Sequence, residues 1–383
     1  MKNKRIALSI FLIAFAFGLN ITGIVPVLGV LNVKYQSYGT SAVQLLQTIP
    51  YALLIIGSLV IGWLTTKLSK KTIATIGLLI IGSCGILPFF LDSYYLLFLS
   101  RFLIGFGFGI VSPINTAIIA EFFKPEERAG YMGIHVVGMG FGCMVSNLLG
   151  GFFASMGYRY YYFVYVIAFA ALIGMRLLLP ETRRTKEAAK ESGKLNGKVY
   201  LISLVGFAHT LFITAYSTNI GIYVIEKITD NPAITGIVTA LNAAFALIIG
   251  AVFARISKVL HKYTLTFSIL SAAAGYASIL YLPGMAGVYI GSALCGVSLS
   301  CFMAQASYLI SIAIEVEAVA KASGIFAVIG GIGGLVSPII LKQLSIVILH
   351  SNSAVNQFIV SFAGMLVLGI ILLAIALRQQ KSA

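Results

Sequence analysis

The sequence predicts an all-α membrane protein with 12 transmembrane helices in two pseudo-symmetric six-helix bundles. Three observations carry this. Hydrophobic residues make up 59% of the 383 residues and charged residues only 10%, where a soluble chain runs near 45–50% and about 25%. Apolar runs of membrane-spanning length recur along the whole chain. A polar stretch at 180–198 divides them six and six. A span needs about 20 residues and a short loop about 10 more, so 383 residues hold roughly 12 or 13 spans. That leaves no room for a separate soluble catalytic domain.

The apolar runs fall at 6–30, 41–64, 72–91, 94–121, 129–153 and 160–179, then at 199–225, 233–254, 264–282, 285–312, 319–346 and 354–377. The first follows a basic N-terminus, Met1 to Arg5, and imitates a signal peptide. It continues to Val30 with no A-x-A site, too long for a cleaved segment, and reads as span 1. The 39 glycines concentrate within the helices, as close helix packing in lipid favours.

The net charge of +15 belongs to topology rather than to nucleic acid, because the Lys and Arg residues lie in short loops between apolar runs. One set of loops carries Lys2, Lys4 and Arg5, then Lys67, Lys70 and Lys71, then Lys124 and Arg128, the 183–198 stretch, Arg255, Lys258 and Lys262, Lys321, and Arg378 and Lys381. The opposite set carries little beyond Lys34, Arg159, Lys227 and Lys342. The positive-inside rule then puts both termini in the cytoplasm, with the chain crossing the cell inner membrane. Cys84, Cys143, Cys295 and Cys301 all sit inside apolar runs, with no CxxC or His/Cys cluster, so neither a disulfide framework nor a metal site is expected.

Residues 180–198 read as a cytoplasmic linker between bundles at 1–179 and 199–383. A shift of 191 residues without gaps aligns Gly105 with Gly296, Glu126 with Glu317, Ala129 with Ala320, and Gly133-Ile134 with Gly324-Ile325. Gly140, Gly142 and Ser146 meet Gly331, Gly333 and Ser337, and Lys67 and Lys71 meet Lys258 and Lys262. Glycine matches are cheap, but loop matches at one fixed shift point to duplicated parallel halves.

With these residues in order, the chain resembles the major facilitator superfamily of secondary transporters over essentially its whole length. Gly62-Trp63-Leu64-Thr65-Thr66-Lys67-Leu68-Ser69-Lys70-Lys71 is similar to the family's loop motif G-x-L-a-D-r-x-G-r-[KR]. Thr66 replaces the usual Asp and Ser69 the second Gly, which puts the inner latch formed by that Asp in doubt. Leu97-x3-Arg101-x3-Gly105-x-Gly107-x-Gly109 matches a second family pattern, in span 4. Lys124 to Arg128, Gly157 to Tyr160 and Pro180-Glu181-Thr182 resemble the family's later loop motifs. The resemblance implies alternating access between two halves, with Gly62, Lys67, Lys71, Glu121 and Arg128 as gating candidates. The span 5 signature of drug antiporters, G-x3-G-P-x2-G-G, keeps Gly150 and Gly151 here, but its Gly-Pro has become Ser146-Asn147. That weakens a multidrug assignment.

The 11 acidic residues all fall in loops or at helix ends, so the membrane-embedded carboxylate common in proton-driven transporters is missing. Arg101 is the strong intramembrane cation, roughly 10 Å deep. With Gly105, Phe108, Ser112 and Asn115 it forms one helical stripe. It reads either as an anion contact or gating switch, or as a packing group bonded to backbone carbonyls. Asn20, Gln47, Tyr51, His135, His209, Tyr216 and Asn242 complete the candidate substrate-binding set, with helix–helix hydrogen bonding as the alternative for each polar one. Asn20, Gln47 and Asn242 fall nearest the central depths of spans 1, 2 and 8, which line the cavity in this family. No catalytic residue, cofactor or metal is expected, and the chain is not read as an enzyme. Gly105-x-Gly107-x-Gly109 lies within a span, so it is no nucleotide fingerprint.

The expected function is transport of an amphipathic organic anion, of bile-salt or carboxylate type, by exchange or uniport. Proton-coupled efflux of drugs is the alternative, a lipid-linked-substrate flippase a further one, and a non-transporting receptor a rival from another class. The expected partners are a small-molecule substrate and the lipid bilayer, with the chain acting as a monomer.

Overall fold

The apolar runs become helices, and at three prolines of the first unit a side chain from another helix bonds the carbonyl that the proline leaves free. The computed structural model describes residues 2–19, 24–182, 196–314 and 316–381. Fourteen α-helices and three 3₁₀ segments lie within them. The run at 6–30 gives α1 (Lys2–Gly18) and α2 (Val25–Lys34). Asn20 lies outside the described residues. The run at 41–64, expected as one helix, divides into α3 (Thr40–Thr48) and α4 (Pro50–Lys67), because Pro50 has no N–H to continue the ladder. Ile49 between them keeps helical angles, φ −58° and ψ −29°.

The next elements are α5 (Lys70–Phe90), α6 (Tyr94–Phe122) and α7 (Pro125–Met156). A 3₁₀ turn at Tyr160–Tyr165 then runs into α8 (Val166–Leu178). The remaining helices are α9 (Gly197–Lys227), α10 (Pro232–Leu260), α11 (Thr264–Tyr281), α12 (Gly284–Ala313), α13 (Val316–Leu349) and α14 (Ala354–Lys381). Several outrun their apolar runs because the ends are capped by polar side chains. Ser69 Oγ accepts from Thr72 N at 3.2 Å ahead of α5, and Asn196 Oδ1 accepts from Val199 N at 3.2 Å ahead of α9. Ten stretches are long and apolar enough to cross a membrane; one of them, Pro232–Tyr281, holds both α10 and α11, and the split first run adds the shorter apolar helix Val25–Lys34. This accounts for the 12 expected spans.

By contact the chain forms two compact units, residues 1–190 with 231–240, and residues 191–230 with 241–383. Residues 231–240 join the first unit because Gly236 packs on Gly151 so closely that a Cβ on Gly151 would lie 2.7 Å from the Gly236 Cα. In the first unit α6 packs against α4 and α5, and α1 against α7; in the second α9 packs against α13, and α11 against α12 and α14. The repeat seen in the sequence recurs inside each unit. A Cβ on Gly142 would strike the Phe15 carbonyl, and one on Gly333, its partner at the shift of 191, would strike the Phe207 carbonyl. Gly105 abuts the Pro50 carbonyl, and its partner Gly296 abuts that of Asn242.

Three prolines of the first unit follow one rule. Proline at position i leaves the carbonyl of i−4 without its helical donor. Pro50 frees Leu46 O, which accepts from Arg101 Nε at 3.1 Å. Pro88 frees Cys84 O, which accepts from Ser100 Oγ at 2.6 Å. Pro113 frees Gly109 O, which accepts from Ser58 Oγ at 3.2 Å. Without water in the bilayer core, each orphaned carbonyl needs such a donor.

Candidate functional site

The first unit holds the most chemically loaded group of the spanning segments. Because Gly105 lets α6 approach the start of α4 backbone to backbone, Arg101 comes level with the break between α3 and α4. Its side chain is 1% exposed. Nε serves Leu46 O, and Nη1 donates to the Tyr165 hydroxyl at 2.5 Å. Nη2 has no hydrogen-bond partner among the described residues. The next residues of α3 are in the same condition: Gln47 is fully buried with neither amide atom partnered, and Thr48 Oγ1 is likewise alone. Tyr51 lies half-buried at the start of α4.

Among the described residues no carboxylate pairs with Arg101. Three described acids of this unit pair at the helix ends: Asp92 with Lys34 and Arg159, Glu121 with Lys70, and Glu181 with Lys71.

His135 and Asn115 form a second contact in this unit. Asn115 Nδ2 donates to Ile10 O at 3.0 Å and lies 2.8 Å from His135 Nδ1. The carbonyl can only accept, so this amide end must be the NH₂ group, and Nδ1 accepts its other proton. The His135 ring is therefore a neutral group with its proton on Nε2. It ties α7 to α6 and, through Asn115, to α1.

In the second unit the predicted residues join helices. His209 is fully buried, 3.1 Å from Ser298 Oγ, and stacked on Phe302 with centroids 3.9 Å apart. Asn242 Nδ2 donates to Ser292 O at 2.9 Å. The Tyr216 N–H donates to the Tyr276 hydroxyl at 3.1 Å, and that hydroxyl donates to Phe212 O at 2.6 Å. A tyrosine from α11 thus sits in the i→i−4 ladder of α9. The structure binds Arg101 to the carbonyl of Leu46, the residue before Gln47 in the chain, and gives His209, Tyr216 and Asn242 packing partners within their own unit.

The gating candidates lie at or near the helix ends of the first unit. Glu121 pairs at 2.8 Å with Lys70, not with Lys67, whose side chain is exposed. The reason is local: Ser69 caps α5, so Lys70 opens the helix beside α6 while Lys67 ends α4. Lys71 Nζ lies 3.2 Å from Glu181 Oε1, and its backbone N–H donates to Thr182 Oγ1 at 2.8 Å. Arg128 donates to Phe123 O at 3.0 Å and Ala120 O at 2.9 Å, capping α6. A Cβ on Gly62 would meet open space, so no packing in this structure demands glycine there.

The other end of this unit carries a cluster that the sequence reading missed. Asp92 accepts from Lys34 Nζ, from Arg159 Nη2 at 2.8 Å and from the Tyr35 hydroxyl at 3.0 Å. Burial pushes its carboxyl up, but the hydrogen bonds from Lys34, Arg159, Tyr158 and Tyr35 outweigh that and hold it below the usual carboxylate range. The available signal was charge in loops on the poorly charged side: Lys34, Asp92 and Arg159 all fall there.

Among the described residues no group of three or more His, Cys, Asp or Glu could hold a metal ion. The family model described as Major Facilitator Superfamily matches residues 10–338. The chain belongs to the Major Facilitator Superfamily. Among similar proteins, the quinolone resistance protein NorA of Staphylococcus aureus is 27% identical over 253 residues, 61% of this chain and 63% of NorA. The sphingosine-1-phosphate transporter SPNS2 of Danio rerio is 24% identical over 259 residues, 59% of this chain and 51% of SPNS2. The match thus spans less than two thirds of either relative. A bacterial homologue of the human lysosomal transporter Spinster, inward-facing and unoccupied, superposes with a TM-score of 0.74 at 14% identity, covering 98% of this chain and 95% of that one. The nucleoside transporter NupG gives 0.79 at 12% identity, covering 96% and 99%. These solved structures establish the shared fold of this Major Facilitator Superfamily chain, a multi-pass membrane protein.

Proposed function

We propose that this chain is a transporter that works by alternating access and moves an amphipathic organic anion by exchange or uniport. One observation carries the reading: Arg101 is buried in a membrane-spanning helix, and among the described residues its Nη2 has no partner and no carboxylate pairs with it. A charge inside a membrane span is costly, up to about 2.5–3.5 kcal/mol or more at the centre, so an unneutralised one points to a task. The name of one relative, a sphingosine-1-phosphate transporter, describes an amphipathic anion as cargo. Lys70–Glu121, Lys71–Glu181 and the Arg128 cap fit a gate at the cytoplasmic face, with both termini on that side. The transporter acts as a monomer in the cytoplasmic membrane.

Likeness to NorA favours a second reading, proton-coupled efflux of drugs. Transport in proteoliposomes with and without an imposed pH gradient separates the two. The anion reading expects cholate exchange that is nearly indifferent to the gradient. Uphill accumulation of a lipophilic cation driven by pH alone contradicts it and makes His135 and His209 the first suspects.

A further inference from the structure

We infer that Gln47 and Thr48, with Arg101 Nη2, form the subsite that takes the substrate's acidic group, and that the neutral amide of Gln47 sets the preference for anions over cations. The inference rests on the anion reading above and deepens it.

The argument starts at the proline break. Pro50 frees Leu46 O, and Arg101 Nε takes that carbonyl, which fixes the guanidinium one peptide bond away from Gln47. Nη1 is committed to Tyr165. Arg101 Nη2, the Gln47 amide and Thr48 Oγ1 are buried and without partners among the described residues, as are the hydroxyls of Tyr161 and Tyr162. Buried polar groups are nearly always hydrogen-bonded, so each unpartnered one calls for an explanation. Arg101 Nη2 and Gln47 Nε2 are N–H donors, and the Thr48 hydroxyl can donate as well. Such a set suits a ligand group rich in acceptors and carrying a negative charge, a carboxylate or a phosphate-type oxyanion. An ammonium group would meet the guanidinium as a like charge. A carboxylate at position 47 would neutralise Arg101 internally, and the chain has a neutral isostere of glutamate there instead.

The test uses purified full-length protein and two probes, radiolabelled cholate as the anion and tetraphenylphosphonium as the cation. Wild type is expected to bind cholate in preference. Gln47→Glu is expected to weaken cholate by about tenfold or more and to strengthen the cation, with the cholate loss recovering as acid protonates the new carboxyl. Gln47→Met removes the amide without adding charge and should weaken cholate by a smaller factor with no gain for the cation. It also supplies the test if Gln47→Glu fails to fold. Folded Gln47 variants with an unchanged cholate-to-cation ratio overturn the subsite while leaving the anion reading standing. A wild-type protein that binds neither probe, or prefers the cation, overturns the anion reading itself.

Discussion

Arg101 shows how one side chain can hold structure and chemistry together. Two of its nitrogens are spent on its own unit, on a carbonyl orphaned by Pro50 and on Tyr165, and a third remains. Its place on one long apolar helix with Asn115 was legible because charge and hydropathy are sequence properties. Its partner Leu46 O was not, because a backbone carbonyl has no residue signature, although Pro50 marked where one would be freed. Asp92 is the opposite case: nothing in its local sequence announces that Lys34 and Arg159 converge on it. Its folded carboxyl lies below the usual range, so its contribution to stability is present above about pH 4 and is lost as pH falls through and below that value. Asp92→Asn is therefore expected to lower the melting temperature by about 2 °C or less at pH 7, since exposed ion pairs contribute little. The gap from wild type should shrink in high salt and close in acid. A gap that does not narrow as melts are taken from pH 4 into stronger acid would contradict this.

At the scale of elements, proline and hydroxyl placement determines how α4, α5 and α6 fit. The length and order of the helices could be read from apolar runs, because burying backbone polar groups in lipid leaves few alternatives to a helix. The division of the second run at Ile49 and the cross-helix donors depend on packing, which a single run does not encode. Ser100 offers a clean test. Ser100→Ala leaves Cys84 O buried without a donor and should cost about 1–3 kcal/mol. Pro88→Ala restores the N–H that serves Cys84 O, so in that background Ser100→Ala should cost much less. Equal losses in both backgrounds, measured by unfolding in mixed micelles, would show that the carbonyl is not the reason for the serine.

For the whole molecule, the duplicated architecture was visible at a shift of 191 residues and reappears as equivalent glycine contacts in the two units, Gly142 on Phe15 and Gly333 on Phe207. Less of the candidate site was legible. Composition located polar residues in spans but does not encode which amides join helices; among the described residues Gln47 has no partner, while Asn242 holds Ser292 O. The central claim, that Arg101 receives the charge of an anionic substrate, is complicated by its hold on Leu46, since Arg101→Ala also orphans that carbonyl. Pro50→Ala supplies the missing N–H. The direct measurement is cholate binding to folded Pro50→Ala and Arg101→Ala/Pro50→Ala proteins. The account predicts near wild-type affinity for the first and a loss of about 30-fold or more for the second, because the bound anion loses a charge-assisted partner. Equal affinity in the two proteins would contradict it and leave Arg101 as the clasp of a broken helix.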